Sequence, residues 1–110
     1  MPPILENAAD LLARYTVLFC DIWGVVHNGR TAYREGCAAL AEFRARGGTV
    51  ILVSNAPRTP TGVTRVLAET EVPESSWDAI VASGGIALAH AHELGYRTVH
   101  HIGPDRDLDI

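Results

Sequence analysis

The chain has 110 residues and a formal net charge of −4, enough length for one domain with a buried core and too little for two. No apolar stretch approaches the roughly 20 residues of a membrane span, and no basic segment leads an apolar one at the N-terminus as a secretion signal requires. No basic cluster offers a footprint for nucleic acid, and because all nine basic residues are arginine, chemistry that needs a lysine within this chain is excluded: a phosphate-loop lysine, a Schiff base, a receiver lysine.

In chain order, Ile4, Leu5, Ala8, Leu11, Leu12 and Tyr15 follow helical spacing, so residues 4–14 read as an amphipathic helix. Residues 16–22 (TVLFCDI) form a short β-prone run ending at an acid, the pattern of a strand buried on both faces. Asn28-Gly29 marks a tight turn. Cys37, Leu40, Ala41 and Arg44, with Phe43 beside them, predict a helix over 35–46 that Gly47-Gly48 stops. Residues 49–53 (TVILV) are a second buried strand, broken by Ser54-Asn55-Ala56-Pro57. Thr59 or Thr61 can cap a helix to about Glu69, with Val63, Val66 and Leu67 inward. Residues 79–82 (AIVA) predict a third strand, and Ser83-Gly84-Gly85 opens a helix that Gly95 closes near Leu94. Residues 97–102 predict a fourth strand. Strands alternating with helices imply right-handed crossovers and a Rossmann-like α/β fold, a parallel sheet with helices on both faces. The expected order places the four strands side by side in sequence order, with the first at an edge. The chain ends on a polar tail with Asp105, Asp107 and Asp109 and no further helix, which reads as an interrupted domain.

Ligands of open parallel sheets bind beyond the carboxyl ends of the strands. Asp21, Ser54-Asn55 and Ser83-Gly84 lie there. Asp21 precedes Gly24, which permits a sharp backbone departure; its carboxylate suits a nucleophile or a ligand for magnesium, and equally a turn aspartate. Ser54 and Asn55, with free backbone amides, suit a phosphate seat, to which Arg58 can add a charge-assisted hydrogen bond; they also suit an ordinary turn. Ser83-Gly84-Gly85 lacks a dinucleotide glycine spacing, so helix capping is the better reading. Cys20 and Cys37 lie in apolar contexts and read as free thiols of a cytoplasmic protein. His90 and His92 read as solvated, Trp77 as core. His100 and His101, adjacent on a strand, point to opposite faces and do not chelate together.

FCDIWGVVHNG followed about 30 residues on by VILVSNAPR resembles the haloacid dehalogenase (HAD) superfamily of phosphohydrolases, specifically the class IIA phosphatases with a large C2-type cap. The resemblance implies the N-terminal portion of a HAD core over residues 15 to about 102, with cap and C-terminal half absent. It implies hydrolysis of phosphate esters of small metabolites, dependent on Mg2+, through an aspartyl-phosphate at Asp21. Ser54 and Asn55 would bind the phosphoryl group. Magnesium would contact Asp21 and the backbone carbonyl of Trp23, and Val25 to Thr31 would form a flap hairpin. Three departures stand out. The family's second aspartate, its general acid and base, is here Trp23. The third motif's lysine is missing, and the fourth motif's acids would lie beyond Ile110. His27 is the nearest group to substitute in proton transfer, with Arg58 a second candidate substrate contact. The isolated chain is therefore expected to be inactive, and to self-associate or bind a missing C-terminal half. The rival readings are a non-catalytic HAD-like binding or regulatory module, favoured by Trp23, and an unrelated nucleotide-binding domain.

Overall fold

The computed structural model describes residues 1–108, so Asp109 of the acidic tail lies outside the described residues. Three parallel strands form one open sheet in the order β1-β2-β3: β1 (Val17–Asp21), β2 (Thr49–Ser54) and β3 (Ala79–Ala82). Four helices accompany them: α1 (Ala9–Leu12), α2 (Arg34–Ala45), α3 (Pro60–Glu69) and α4 (Ser83–Glu93). The architecture is α/β and Rossmann-like, and β1 is the edge strand as the sequence predicts.

The register explains which face carries the core. Leu18 pairs with Val50, Cys20 with Leu52, Leu52 with Ile80, and Ser54 with Ala82. Because side chains alternate across a strand, these residues share one face. On that face Val50 and Leu52 are fully buried, together with Cys37, Leu40 and Phe43 of α2 and Val63 and Leu67 of α3. Burying side chains of this size stabilises the fold by about 1.5–3 kcal/mol each. Both crossover helices lie over this one face because successive right-handed connections run the same way along the sheet. Arg44 ties α2 to the turn before β3. It donates to the carbonyls of Glu74 (3.2 Å) and Ser75 (2.7 Å) and to the Asp78 carboxylate (2.7 Å). Asp78 in turn accepts the Val50 N–H at 2.7 Å. The Arg44 hydrogen bond, then the Val50 one, hold the Asp78 carboxyl below its ordinary range.

The opposite face carries Val17, Phe19, Val53 and Val81, and all four are exposed, Phe19 by 69%. The expectation that the TVLFCDI run is buried on both sides therefore fails within this chain. Its apolar continuity still fits a two-sided strand, but α4, the next helix in sequence, buries only Gly84 and leaves Ile86 outside.

The predicted strand over 97–102 is not formed. These residues are irregular and exposed. A parallel strand there needs α4 to pack across the sheet and return the chain beside a neighbour. With the apolar side of α4 unburied, that crossover is not held, and residues 97–102 stay exposed. The helix predicted over 4–14 shrinks to Ala9–Leu12. Asn7 accepts the Ala9 N–H at 2.8 Å and starts the helix late. Ile4 and Leu5 stay exposed, so the stripe that suggested a longer helix has no surface to bury against. The other elements match expectation to within a residue or two. Thr59, not Thr61, caps α3, accepting the Gly62 N–H at 3.2 Å. Among the described residues no helix is long and apolar enough to cross a membrane.

Candidate active site at the carboxyl end of the sheet

The strand register sets the site. Asp21 pairs with Val53, so Ser54 begins the β2 exit one residue beyond the β1 nucleophile candidate. At the β1 exit the chain turns sharply: Gly24 adopts a φ of +77°, a conformation that costs residues with a side chain and not glycine. Val26 N–H bonds back to the Ile22 carbonyl at 2.8 Å and Gly24 N–H to the His27 carbonyl at 2.9 Å. A short antiparallel bridge joins His27 to Ala32, and Asn28 Oδ1 accepts the Arg30 and Thr31 N–H groups at 2.9 Å each. The asparagine thus closes the predicted Asn28-Gly29 turn, while residues 25–31, expected as a hairpin, are turns and bends held by isolated bridges at His27 and not a pair of strands.

The β2 exit is held just as closely. Ser54 is buried and its Oγ accepts the Ala56 N–H at 3.1 Å. The Ala56 carbonyl accepts the Arg58 N–H at 2.8 Å. Ser83 Oγ lies 2.9 Å from the Asn55 carbonyl and 2.8 Å from that of Ala56. Ser83 therefore does not cap its own helix; it tethers the loop after β2 to the start of α4. Gly84 makes this approach possible, since a Cβ there would lie 2.4 Å from the Arg58 backbone nitrogen. The serine-glycine pair after β3 is structural support for the β2 loop. The Asn55 backbone N–H has no partner among the described residues, which leaves it free for an anion.

A cavity of about 540 Å3 opens between the two exits, lined by Trp23, His27, Ser54, Asn55 and Arg58 and by Arg106 and Asp107 of the tail. Five of the residues singled out in the sequence thus meet in one place. Asp21 stands beside the cavity and is not part of its lining; its Oδ1 accepts the Ile22 N–H at 2.8 Å. Neither Arg106 nor Asp107 is expected at this cavity from the sequence, where Asp107 belongs to a polar tail whose Asp-x-Asp-x-Asp run lacks the glycine and distal glutamate of a calcium loop. His90, His92, His100 and His101 are exposed and do not line the cavity, and Trp77 packs against the core. Cys20 and Cys37 are free thiols, and burial raises the pKa of both.

His27 is 1% exposed and its Nδ1 accepts the Gly29 N–H at 2.9 Å. An amide can only donate, so Nδ1 carries the lone pair and the proton sits on Nε2. Burial also lowers the His27 pKa below 6.5. The unfolded chain then binds this proton more readily than the folded one as pH falls through 6.5. Stability is fully present above that value and declines below it. The melting temperature of the wild type is expected to fall more steeply from about pH 7.5 to about pH 5 than that of His27→Gln. Parallel profiles would show that His27 is not the group responsible.

The exposed Trp23 ring lies over Gly29, where a Cβ would come within 2.3 Å of it. It meets the His27 ring edge-on with centroids 5.2 Å apart. The indole therefore lines the cavity mouth where the resemblance places a carboxylate. For a hard cation, the oxygen donors present are the Asp21 carboxylate and the Trp23 carbonyl, which accepts no backbone hydrogen bond among the described residues. These fit part of the octahedral oxygen set that magnesium prefers, the remainder being water and substrate. No group of three metal-binding side chains occurs among the described residues.

The family model for haloacid dehalogenase-like hydrolases matches residues 18–110. This chain belongs to that family. A crystal structure of a haloacid dehalogenase-like family hydrolase from Brucella suis 1330 is 44% identical, with a TM-score of 0.86. The alignment covers 96% of this chain and 38% of that one. The chain thus spans well under half the length of this HAD relative and reproduces the N-terminal part of its core. Among curated proteins there is no match.

Proposed function

We propose that this HAD-like chain carries the nucleophile and the phosphate seat of a phosphate-ester hydrolase that acts on a small phosphorylated metabolite. What carries the reading is the meeting of Ser54, Asn55 and Arg58 in one cavity beside the carboxylate that ends β1. An Asp21 oxygen attacks phosphorus as the bond to the ester oxygen breaks, giving an aspartyl-phosphate and an alkoxide that takes up a proton. Water then attacks the same phosphorus, releasing phosphate and restoring the carboxylate. Ser54 Oγ–H, the Asn55 N–H and the Arg58 guanidinium bind the phosphoryl oxygens and offset their charge. Bound at Asp21 and the Trp23 carbonyl, Mg2+ would supply charge neutralisation. His27, with its proton on Nε2, donates a hydrogen bond more readily than it releases a proton. In a form carrying the further length seen in the Brucella relative, incubation with p-nitrophenyl phosphate and magnesium, acid quench and mass spectrometry should find a phosphoryl adduct on Asp21 that Asp21→Asn lacks. No adduct under any loading would favour the binding-module reading to which Trp23 points.

The association expected from the sequence keeps its physical basis. Among the described residues β1 has no partner on its outer edge, and Val17 to Cys20 hold no charge or proline to protect it. Beside that edge lies the exposed face with Phe19, Val53 and Val81. Sedimentation at micromolar concentration should show species larger than the monomer, and Phe19→Lys should shift them toward it. A clean wild-type monomer would refute this.

A further inference from the structure

We propose that Asp107 is a positioning residue of the anion seat: its carboxylate holds the Arg58 guanidinium through Nε and leaves the terminal nitrogens free for phosphate. The inference rests on the phosphate-seat reading above. Asp107 lies on the single turn Asp105–Asp107, far in sequence from Arg58, yet it is 7% exposed and lines the same cavity. Its Oδ1 stands 3.5 Å from Arg58 Nε. No other hydrogen-bond donor or cation reaches that carboxylate among the described residues. A carboxylate is not buried at such a place without a cation to offset its desolvation, so its location is tied to Arg58.

The geometry favours orientation over occupation. A guanidinium presents five N–H donors in a rigid plane. A contact at Nε takes one side of that plane, and at 3.5 Å it is longer than a full charge-assisted hydrogen bond of about 2.8 Å. The terminal nitrogens of Arg58 enter no ion pair or hydrogen bond among the described residues. Asp107 accepts no hydrogen bond from Ser54 Oγ or the Asn55 N–H, two donors that would face a bound anion. The other end of Arg58 is already fixed. Its N–H donates to Ala56, its carbonyl accepts the Gly85 N–H at 3.1 Å, and Gly84 packs against its backbone. With both ends held, the side chain between them loses little further freedom when it binds an oxyanion.

Binding of inorganic phosphate to the 110-residue chain, followed by calorimetry, tests this. Asp107→Asn should weaken binding roughly 3- to 10-fold, while Asp107→Glu should restore most of it. Arg58→Gln should weaken it at least as much, and adding Asp107→Asn to Arg58→Gln should cost nothing more. In the wild type, the Arg58 Nε–H proton should exchange more slowly with water than in a free arginine, a reading that needs no variant. Exchange as fast as in free arginine would overturn the proposal. So would an unchanged or tightened affinity in Asp107→Asn, tightening being the mark of a carboxylate that competes with phosphate. In either case Ser54→Ala would still weaken binding, and the seat would stand. Phosphate binding that is absent, or indifferent to Ser54→Ala, would remove the seat itself and this inference with it.

Discussion

Asp21→Asn is expected to abolish phosphate-ester hydrolysis, with a loss of roughly 10⁴-fold or more. Ser54→Ala is expected to lose only about 10- to 10³-fold. The difference follows from what each side chain does. In the proposed mechanism Asp21 would supply the attacking oxygen, and an amide at that position has no comparable nucleophile. Ser54 would supply one hydrogen bond to a phosphoryl group that the Asn55 N–H and Arg58 would also contact, so its removal would leave the proposed seat partly furnished. The Ser54 substitution also frees the Ala56 N–H that its Oγ accepts at 3.1 Å, which loosens the loop and adds to the loss. Initial rates with p-nitrophenyl phosphate and magnesium measure both effects. They are to be read in a form carrying the further length seen in the Brucella relative, because the 110-residue chain is expected to show little or no turnover. Small and equal losses at the two positions would argue against a nucleophile at Asp21 and for a binding role of the whole site.

The parts of the fold that were readable in the sequence are those whose burial is decided locally. TVILV becomes β2, with Val50 and Leu52 fully buried, because it is central and covered by its own crossover helices. AIVA and the Val63/Leu67 stripe follow the same logic. Segments whose structure depends on a distant partner were not readable. Residues 97–102 have strand-forming composition but no neighbour to pair with, and Ile4 and Leu5 have helical spacing but no surface to meet. Phe19 shows the same limit inside a correctly predicted strand: its residue type fits a covered face, and that face is open.

At the site, sequence pattern was strongest where chemistry is fixed to a strand end. Asp21 and Ser54 stand at the ends of paired strands, and the spacing of two apolar runs was enough to place them. It was weaker where a contact crosses the chain. That Ser83 tethers the carbonyls of Asn55 and Ala56 cannot be read from its neighbours, only from how α4 begins beside the loop. The burial of Asp107 against Arg58 is of the same kind. A tail with alternating aspartates looks solvated in sequence, and the one signal available was an arginine near the phosphate seat in need of a counter-charge.

Trp23→Asp is expected to raise turnover of alkyl phosphate monoesters by roughly 10²- to 10⁴-fold, the usual worth of a positioned proton donor. The indole N–H is not an acid at neutral pH, so in the proposed reaction the leaving alkoxide would have no proton donor at position 23. Position 23 stands two residues beyond the β1 carboxylate, at the cavity mouth, and its side chain is 61% exposed. A carboxylic acid there has access both to solvent, for reprotonation, and to the leaving group. The substitution also removes the ring that covers Gly29 and meets His27 edge-on, so the loop over 25–31 loses a packing contact. Trp23→Asn has the same loss without the proton donor and serves as the reference. The gain of Asp over Asn should be large for an alkyl ester, whose leaving group needs a proton. It should be small for p-nitrophenyl phosphate, whose leaving group departs as a stable anion. Equal rates for the two variants on both substrates would mean that position 23 does not face the leaving group, and that Trp23 serves the shape of the cavity and not its proton chemistry.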